Sequence, residues 1–184
     1  MSAGRLIAVV GPSGVGKDTV MEALCRAEPR LSLVRRMITR PEEAGGERFN
    51  GIDEETFRMM ERAGEFALSW GAHGLFYGVP RMIEADLARG AHLLVNLSRG
   101  VLGEARSRFP DLEILTLTAS RAVLEERLIA RGRESWAGVA SRLDRPQPIP
   151  PEGAVLIDNS GPLDKTVRMA LEQLYPVSST RLSS

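Results

Sequence analysis

Apolar and polar positions follow two rhythms along this chain. Leu6–Val10, His92–Leu97, Glu113–Leu117 and Ala154–Ile157 are short and largely apolar. Runs of that kind read as strands buried on both faces, the habit of parallel sheets. Between them the spacing turns helical. A helix leads away after residue 17 through Val20-Met21-Glu22-Ala23-Leu24. Asp53 is placed to cap a helix through Ala63, with Phe57, Met60 and Ala63 on one face and Gly64 as its stop. Pro80 is read as opening a helix that ends at Gly90. Further helices are expected over Gly100–Arg108, Ser120–Arg131, Glu134–Leu143 and Leu163–Tyr175. Ser32–Met37 reads as a second short strand, and Phe66–Trp70 and Phe76–Val79 as strand pieces around the turn Gly71-Ala72-His73-Gly74. Glu42–Gly51 is rich in glycine and charge and reads as a loop or irregular hairpin, and the tail from Pro176 is serine-rich.

Strands alternating with helices predict an α/β fold: a parallel sheet flanked by helices on both faces. A single domain over 1–184 is expected, with a core over about 5–33 and 80–175, an inserted lobe over about 34–79, a lid over about 127–145 and a frayed tail over 176–184. Composition agrees, with 43% hydrophobic and 26% charged residues. The 24 basic and 24 acidic residues cancel, so nothing suggests bulk electrostatic binding to nucleic acid or anionic lipid, and neither partner is expected. No apolar run reaches the length of a membrane span, and the N-terminus lacks a signal peptide's apolar segment. The single cysteine, Cys25, rules out an internal disulfide and fits a cytoplasmic location; its place on the first helix suggests core filling. Monomer and homodimer both remain open.

The strongest chemical signal is Gly11-Pro12-Ser13-Gly14-Val15-Gly16-Lys17-Asp18-Thr19, lying between the first strand and the first helix. Glycines at this spacing let backbone N–H groups turn inward around phosphate oxygens, the helix start adds its positive end, and Lys17 brings a point charge. That reads as a phosphate-binding P-loop, with Gly11 to Thr19 as the cradle. The residue after the lysine is ordinarily Ser or Thr on Mg²⁺; here it is Asp18, with Thr19 next, so both are candidate metal ligands. In open α/β sheets ligands sit at the C-terminal strand ends, where Asn96 and Asn159 also fall. Asn159 reads equally as an adenine neighbour and as a plain turn residue.

Two arginine-bearing sets follow. Arg127, Arg131 and Arg133 crowd one helix end, with Arg142 beyond, and repel one another unless an anion lies between them. Beside a P-loop that pattern reads as a lid closing on the transferring phosphoryl group. The inserted lobe holds Arg35, Arg36, Arg40, Trp70, His73 and Tyr77. Arg40 precedes Pro41 in a constrained extended segment, a suitable phosphate clamp. Trp70 reads as core and His73 as a turn residue.

Together these motifs resemble the guanylate-kinase-like branch of nucleoside monophosphate kinases. The carriers are residues 11–17, Ile38-Thr39-Arg40-Pro41, Tyr77-Gly78 and the Arg-Leu-Ile-Ala-Arg-Gly-Arg run at 127–133, and the likeness extends from Leu6 to about Leu174. Three positions depart from guanylate kinases. Ser69 stands where they carry a glutamate that reads guanine, Glu42 and Glu43 where a second arginine is expected, and Asn96 where a strand acid is expected. The same departures are similar to the ribose 1,5-bisphosphate phosphokinases of phosphonate breakdown. The pattern includes Gly-Lys-Asp at 16–18, Leu-Ser-Trp at 68–70, Val-Asn-Leu-Ser-Arg at 95–99 and Arg-Gly-Arg-Glu at 131–134.

That resemblance implies transfer of the ATP γ-phosphoryl to ribose 1,5-bisphosphate, giving 5-phospho-α-D-ribose 1-diphosphate and ADP with Mg²⁺. Lys17 is then assigned to the outer phosphates, Arg127, Arg131 and Arg142 to the lid, and Arg36, Arg40, Tyr77 and Arg99 to the acceptor. Asp18 and Asn96 read as a paired exchange, the carboxylate near the metal having moved from the strand end to the P-loop. The rival readings are a guanylate or other monophosphate kinase, disfavoured by Ser69, a non-catalytic binding module, disfavoured by the intact Lys17, and a regulatory NTPase, for which no switch element is evident.

Overall fold

The structure is a computed structural model that describes residues 4–41, 48–130 and 149–176. Its core is a five-stranded parallel sheet. The strands are β1 (Arg5–Val10), β2 (Leu31–Leu33), β7 (His92–Asn96), β8 (Glu113–Thr118) and β9 (Val155–Asp158), in the spatial order β2-β7-β1-β8-β9. The remaining strands are β3 (Met37–Ile38), β4 (Asn50–Gly51), β5 (Phe66–Ala72) and β6 (Leu75–Pro80), which form a second, mixed sheet in the order β4-β3-β6-β5.

Each face of the core sheet carries its own apolar cluster. Alternate residues of β1 divide between them: Ile7 and Val9 on one side, Leu6, Ala8 and Val10 on the other. The first cluster is closed by α1 (Lys17–Ala27), by Leu124 of α5 (Arg121–Ala130) and by Val167, Ala170 and Leu174 of α6 (Leu163–Leu174). The second is closed by Ile83 of α3 (Ile83–Ala88) and by Leu102 and Ala105 of α4 (Leu102–Arg108). Ala67, Leu68 and Val79 of the second sheet enter that same cluster, so the inserted strands are rooted in the core. Burying a leucine this completely contributes about 1.5–3 kcal/mol. Cys25 packs against the first cluster, and burial pushes its thiol up from the ordinary value, consistent with filling space.

The second sheet is organised by a hairpin and a helix. α2 (Glu54–Arg62) starts where expected: Asp53 Oδ1 accepts from the Thr56 amide at 2.7 Å. Its Phe57 is fully buried and stacks on Phe66 at 4.7 Å. Phe66 in turn covers Gly78, where a Cβ would lie 2.4 Å from the ring; only glycine fits opposite it. The β5–β6 turn is tighter than the sequence suggests. His73 and Gly74 are the two central residues, with φ of 54° and 73°, a left-handed pair suited to the twist of a hairpin.

Two sequence expectations are corrected. Ser32–Met37 is not one strand: Leu31–Leu33 pairs with β7 in the core, whereas Met37–Ile38 pairs with β6 and β4. Pro80 does not open a helix. It closes β6 opposite Phe66, and α3 begins at Ile83. A proline fixes φ near −65° in either setting, so a strand end and a helix start look alike in sequence. The expected helix over Glu134–Leu143 and residues 42–47 of the expected loop or irregular hairpin lie outside the described residues, while Asn50–Gly51 forms β4.

Candidate active site

The P-loop occupies the C-terminal end of β1. α1 begins at Lys17 with Gly16 as its N-cap, in a left-handed conformation (φ 91°) and with no side-chain cap. The loop itself therefore faces the first-turn N–H groups, the arrangement that receives phosphate oxygens. Gly16 is fixed twice over, because a Cβ there would also lie 2.9 Å from Asn159 Nδ2. Lys17 Nζ donates to the Gly11 and Pro12 carbonyls at 3.0 and 3.3 Å, which holds the ammonium across the loop.

A polar brace backs the loop from the β9 side. Arg127 Nη1 donates to the Val15 carbonyl at 3.1 Å and Nη2 to the Asn159 carbonyl at 2.9 Å. Asn159 is buried; its Nδ2 donates to Val15 O at 2.7 Å, its Oδ1 accepts from Thr166 Oγ1 at 2.8 Å, and its backbone N–H donates to Thr118 O at 2.7 Å. Asn159 is thus more than a plain turn residue: it is a buried tie between three elements, and it also lines the cavity beside the P-loop. Arg127, read from sequence as a lid member, sits on α5 with its guanidinium on backbone carbonyls of the P-loop and the β9 turn. A cavity of about 310 Å³ is lined by Gly14, Gly16, Thr19, Arg127, Asn159 and Leu163 among others. A larger open groove of about 940 Å³ runs between α1 and α6, and no P-loop glycine lines it.

Asp18 and Thr19 look in different directions. Thr19 borders the cavity beside Arg127 and Asn159. Asp18 faces β7, where Asn96 Nδ2 donates to its Oδ1 at 3.3 Å. The P-loop position Asp18 and the strand-end position Asn96, the two proposed from sequence as a paired exchange, therefore meet in space.

The second sheet carries a separate aromatic and cationic cluster, tied to the core sheet beyond β7. Trp70 and Tyr77 are directly opposite each other on β5 and β6 and stack at 5.4 Å with their planes 8° apart. The guanidinium of Arg36, only 5% exposed, lies 5.6 Å from the Trp70 ring and 5.2 Å from the Tyr77 ring. Trp70 Nε1 donates to Ser98 Oγ at 3.1 Å, joining this cluster to the loop after β7. Arg40 sits over the Phe49 ring at 4.4 Å, on a strand end fixed by Thr39, whose N–H and Oγ1 bond the backbone of Phe76. Arg99 is exposed at the start of a 3-10 turn over Arg99–Val101. His73 is exposed at the hairpin tip, a turn residue.

Ser69 has an acidic neighbour. Its hydroxyl donates to Glu61 Oε1 at 2.8 Å, and Arg58 Nη1 donates to Oε2 at 2.9 Å. These two partners hold the Glu61 carboxyl below its ordinary value. Arg131, Arg133 and Arg142 lie outside the described residues. Sequence reasoning missed Ser98, Thr166 and the bracing role of Asn159; a serine two residues beyond a strand end was the one available hint.

Chemically, the site offers an anion cradle with a lysine, a carboxylate beside it, and an aromatic wall with buried positive charge. That set suits positioning and charge neutralisation between phosphates. Among the described residues no helix is long and apolar enough to cross a membrane. No family model matches the chain. It is 48% identical over 181 residues to a ribose 1,5-bisphosphate phosphokinase PhnN of Pseudomonas fluorescens (strain SBW25), covering 92% of this chain and 94% of that protein. A protein of the same name from Ruegeria sp. (strain TM1040) is 48% identical over 167 residues, covering 89% and 88%. Among solved structures, guanylate kinase from Anaplasma phagocytophilum superposes with a TM-score of 0.71 at 20% identity, covering 94% of this chain and 85% of that one, a likeness of fold.

Proposed function

The chain belongs to the ribose 1,5-bisphosphate phosphokinase family, and from that premise we propose that it converts ATP and ribose 1,5-bisphosphate to 5-phospho-α-D-ribose 1-diphosphate and ADP. It is a kinase of the guanylate-kinase-like fold. The near-full-length identity carries the reading, since it spans the P-loop and the second sheet alike.

In this reaction an oxygen of the 1-phosphate attacks the γ-phosphorus, and the bond from that phosphorus to the β,γ-bridging oxygen breaks, its electron pair leaving with ADP. The attacking oxygen is already ionised near neutral pH, so no strong general base is required. What remains is in-line alignment and compensation of charge. Lys17 and the P-loop amides hold the ATP phosphates. Arg127 and Asn159 keep the loop in shape, and Thr19 borders the nucleotide side. Arg36, Arg40 and Tyr77 hold the acceptor, with Arg99 beyond the β7 end. Arg131 and Arg142 are proposed for lid closure.

The residues present fit Mg²⁺. In phosphoryl transfer this ion is commonly held by one or two carboxylates together with substrate phosphates, and Asp18 stands in the first turn of the phosphate-binding helix. When bound, the ion would supply neutralisation of the negative charge that develops during phosphoryl transfer. Asp18, steadied by Asn96, is its proposed protein ligand; Thr19 is assigned to the nucleotide. The substrates are ATP and the sugar bisphosphate, in a cytoplasmic enzyme.

Phosphorus NMR of the product from ATP and ribose 1,5-bisphosphate tests the function. A diphosphate on carbon 1 is expected. Preferential phosphorylation of GMP in an acceptor panel overturns it.

A further inference from the structure

Two polar residues separate the metal-side contact from the acceptor wall. β7 ends at Asn96, which reaches Asp18. Ser98, two positions on, receives the Trp70 indole N–H at 3.1 Å. Trp70 stacks on Tyr77, and Arg36 lies over both rings. One short loop therefore touches the phosphate-donor end through Asn96 and the acceptor wall through Ser98.

The use of Ser98 is unusual for its place. It is the N-cap of the 3-10 turn Arg99–Val101, where a serine hydroxyl ordinarily accepts a backbone N–H. Here the side chain makes no such cap, and the hydroxyl accepts from Trp70 instead. The turn is closed by backbone alone, Val101 N to Ser98 O at 3.1 Å. Trp70 also packs against the second apolar cluster, so its ring is anchored in the core while its nitrogen is held by the residues after β7.

We propose that Ser98 is a positioning residue: its hydrogen bond to Trp70 fixes how far the acceptor wall stands from the P-loop, and so aligns the acceptor phosphate with the γ-phosphoryl group. This rests on the proposed function and adds a residue to it. Ser98 touches neither substrate in this role; it acts through Trp70, which orients Tyr77 and Arg36. Reactions governed by in-line geometry are sensitive to such a span, since displacement by about 1 Å costs up to 10²-fold.

The test compares Ser98→Ala, Ser98→Thr, Trp70→Phe and the double variant Ser98→Ala/Trp70→Phe with the unmodified protein. Turnover of ribose 1,5-bisphosphate, calorimetric ATP affinity and thermal midpoint are read on each. Ser98→Ala is expected to lower kcat/KM for the acceptor by on the order of 10- to 100-fold, with ATP affinity and thermal midpoint unchanged. Ser98→Thr, which keeps the hydroxyl, restores most of the loss. Trp70→Phe shows a similar defect, and the double variant is no worse than the more impaired single one. Normal turnover in Ser98→Ala, strictly additive effects, or parallel loss of ATP affinity and thermal midpoint overturns the positioning role. An unmodified protein that makes no diphosphate from these substrates defeats the proposed function as well; one that makes it while Ser98→Ala is unaffected defeats the positioning role alone.

Discussion

The Asn96 side-chain amide donates to Asp18 Oδ1 across 3.3 Å, linking the end of β7 to the first turn of α1 although 78 positions separate the two in sequence. Asp18 stands where a P-loop ordinarily has Ser or Thr and Asn96 where guanylate kinases carry an acid, and the two side chains meet. An amide beside a carboxylate keeps a single negative charge there, whichever of the two positions bears it.

Asp18→Ser is therefore expected to weaken Mg²⁺-dependent ATP binding by about 10- to 100-fold. Adding Asn96→Asp to that variant restores much of the loss, because the acid returns to the strand end. Calorimetric titration of ATP at graded Mg²⁺ concentrations measures both. Unchanged Mg²⁺ dependence in Asp18→Ser refutes the pairing.

Arg127→Lys removes a forked contact to two backbone carbonyls that a single ammonium cannot reproduce. Hydrogen bonds to charged groups contribute about 1.5–3 kcal/mol. A thermal midpoint lower by several degrees and an ATP affinity reduced by about tenfold are expected. The acceptor KM should change less than the ATP affinity. Steady-state kinetics and thermal melts decide.

Thr166→Val leaves the buried Asn159 Oδ1 without the hydroxyl that serves it. An orphaned buried acceptor costs about 1–3 kcal/mol, to be read by urea unfolding. Asn159→Asp is expected to be worse, since a carboxylate oxygen then faces the Val15 carbonyl in place of a donor.

His92 gives the fold a pH dependence. Burial first, then the Arg5 and Arg30 guanidinium groups, hold its pKa below the ordinary 6.5; Glu113 and Glu28 oppose them more weakly. Its Nδ1 lies 2.7 Å from the Tyr175 hydroxyl. As pH falls below about 6.5 the unfolded chain takes up a proton that the folded chain refuses, so stability declines until the folded pKa is reached. Thermal midpoints measured from pH 8 to 5 should fall on the acid side, and His92→Gln should flatten that slope.

Ser69→Glu alone is not expected to produce a guanylate kinase. The new carboxylate would stand beside Glu61, which already accepts from Ser69 and Arg58, and two like charges at that spacing repel. Turnover of GMP should stay below about 1% of that with the sugar bisphosphate.

The P-loop and core strands were legible because unbroken apolar runs and a glycine loop carry local signals. Asp53 was legible as a cap for the same reason. The split of Ser32–Met37 was not, since a residue pattern does not say which sheet a strand joins. Nor was the place of Arg127: sequence identified a cation at a helix end, but its partners are carbonyls brought from 112 and 32 positions away. Trp70 reads as core from its hydrophobicity, and it is partly so; its nitrogen gives it a second attachment that only the fold provides.

Asn159 precedes Ser160, a dipeptide prone to deamidation, in which the serine's backbone nitrogen attacks the asparagine amide carbon. Here that nitrogen donates to Asp158 Oδ1 at 3.1 Å, and the amide is pinned at both ends by Val15 and Thr166. The brace that shapes the P-loop is thus expected to slow deamidation of its own asparagine, so that the lesion accumulates in molecules whose β9 corner has opened, which mass spectrometry of aged protein checks.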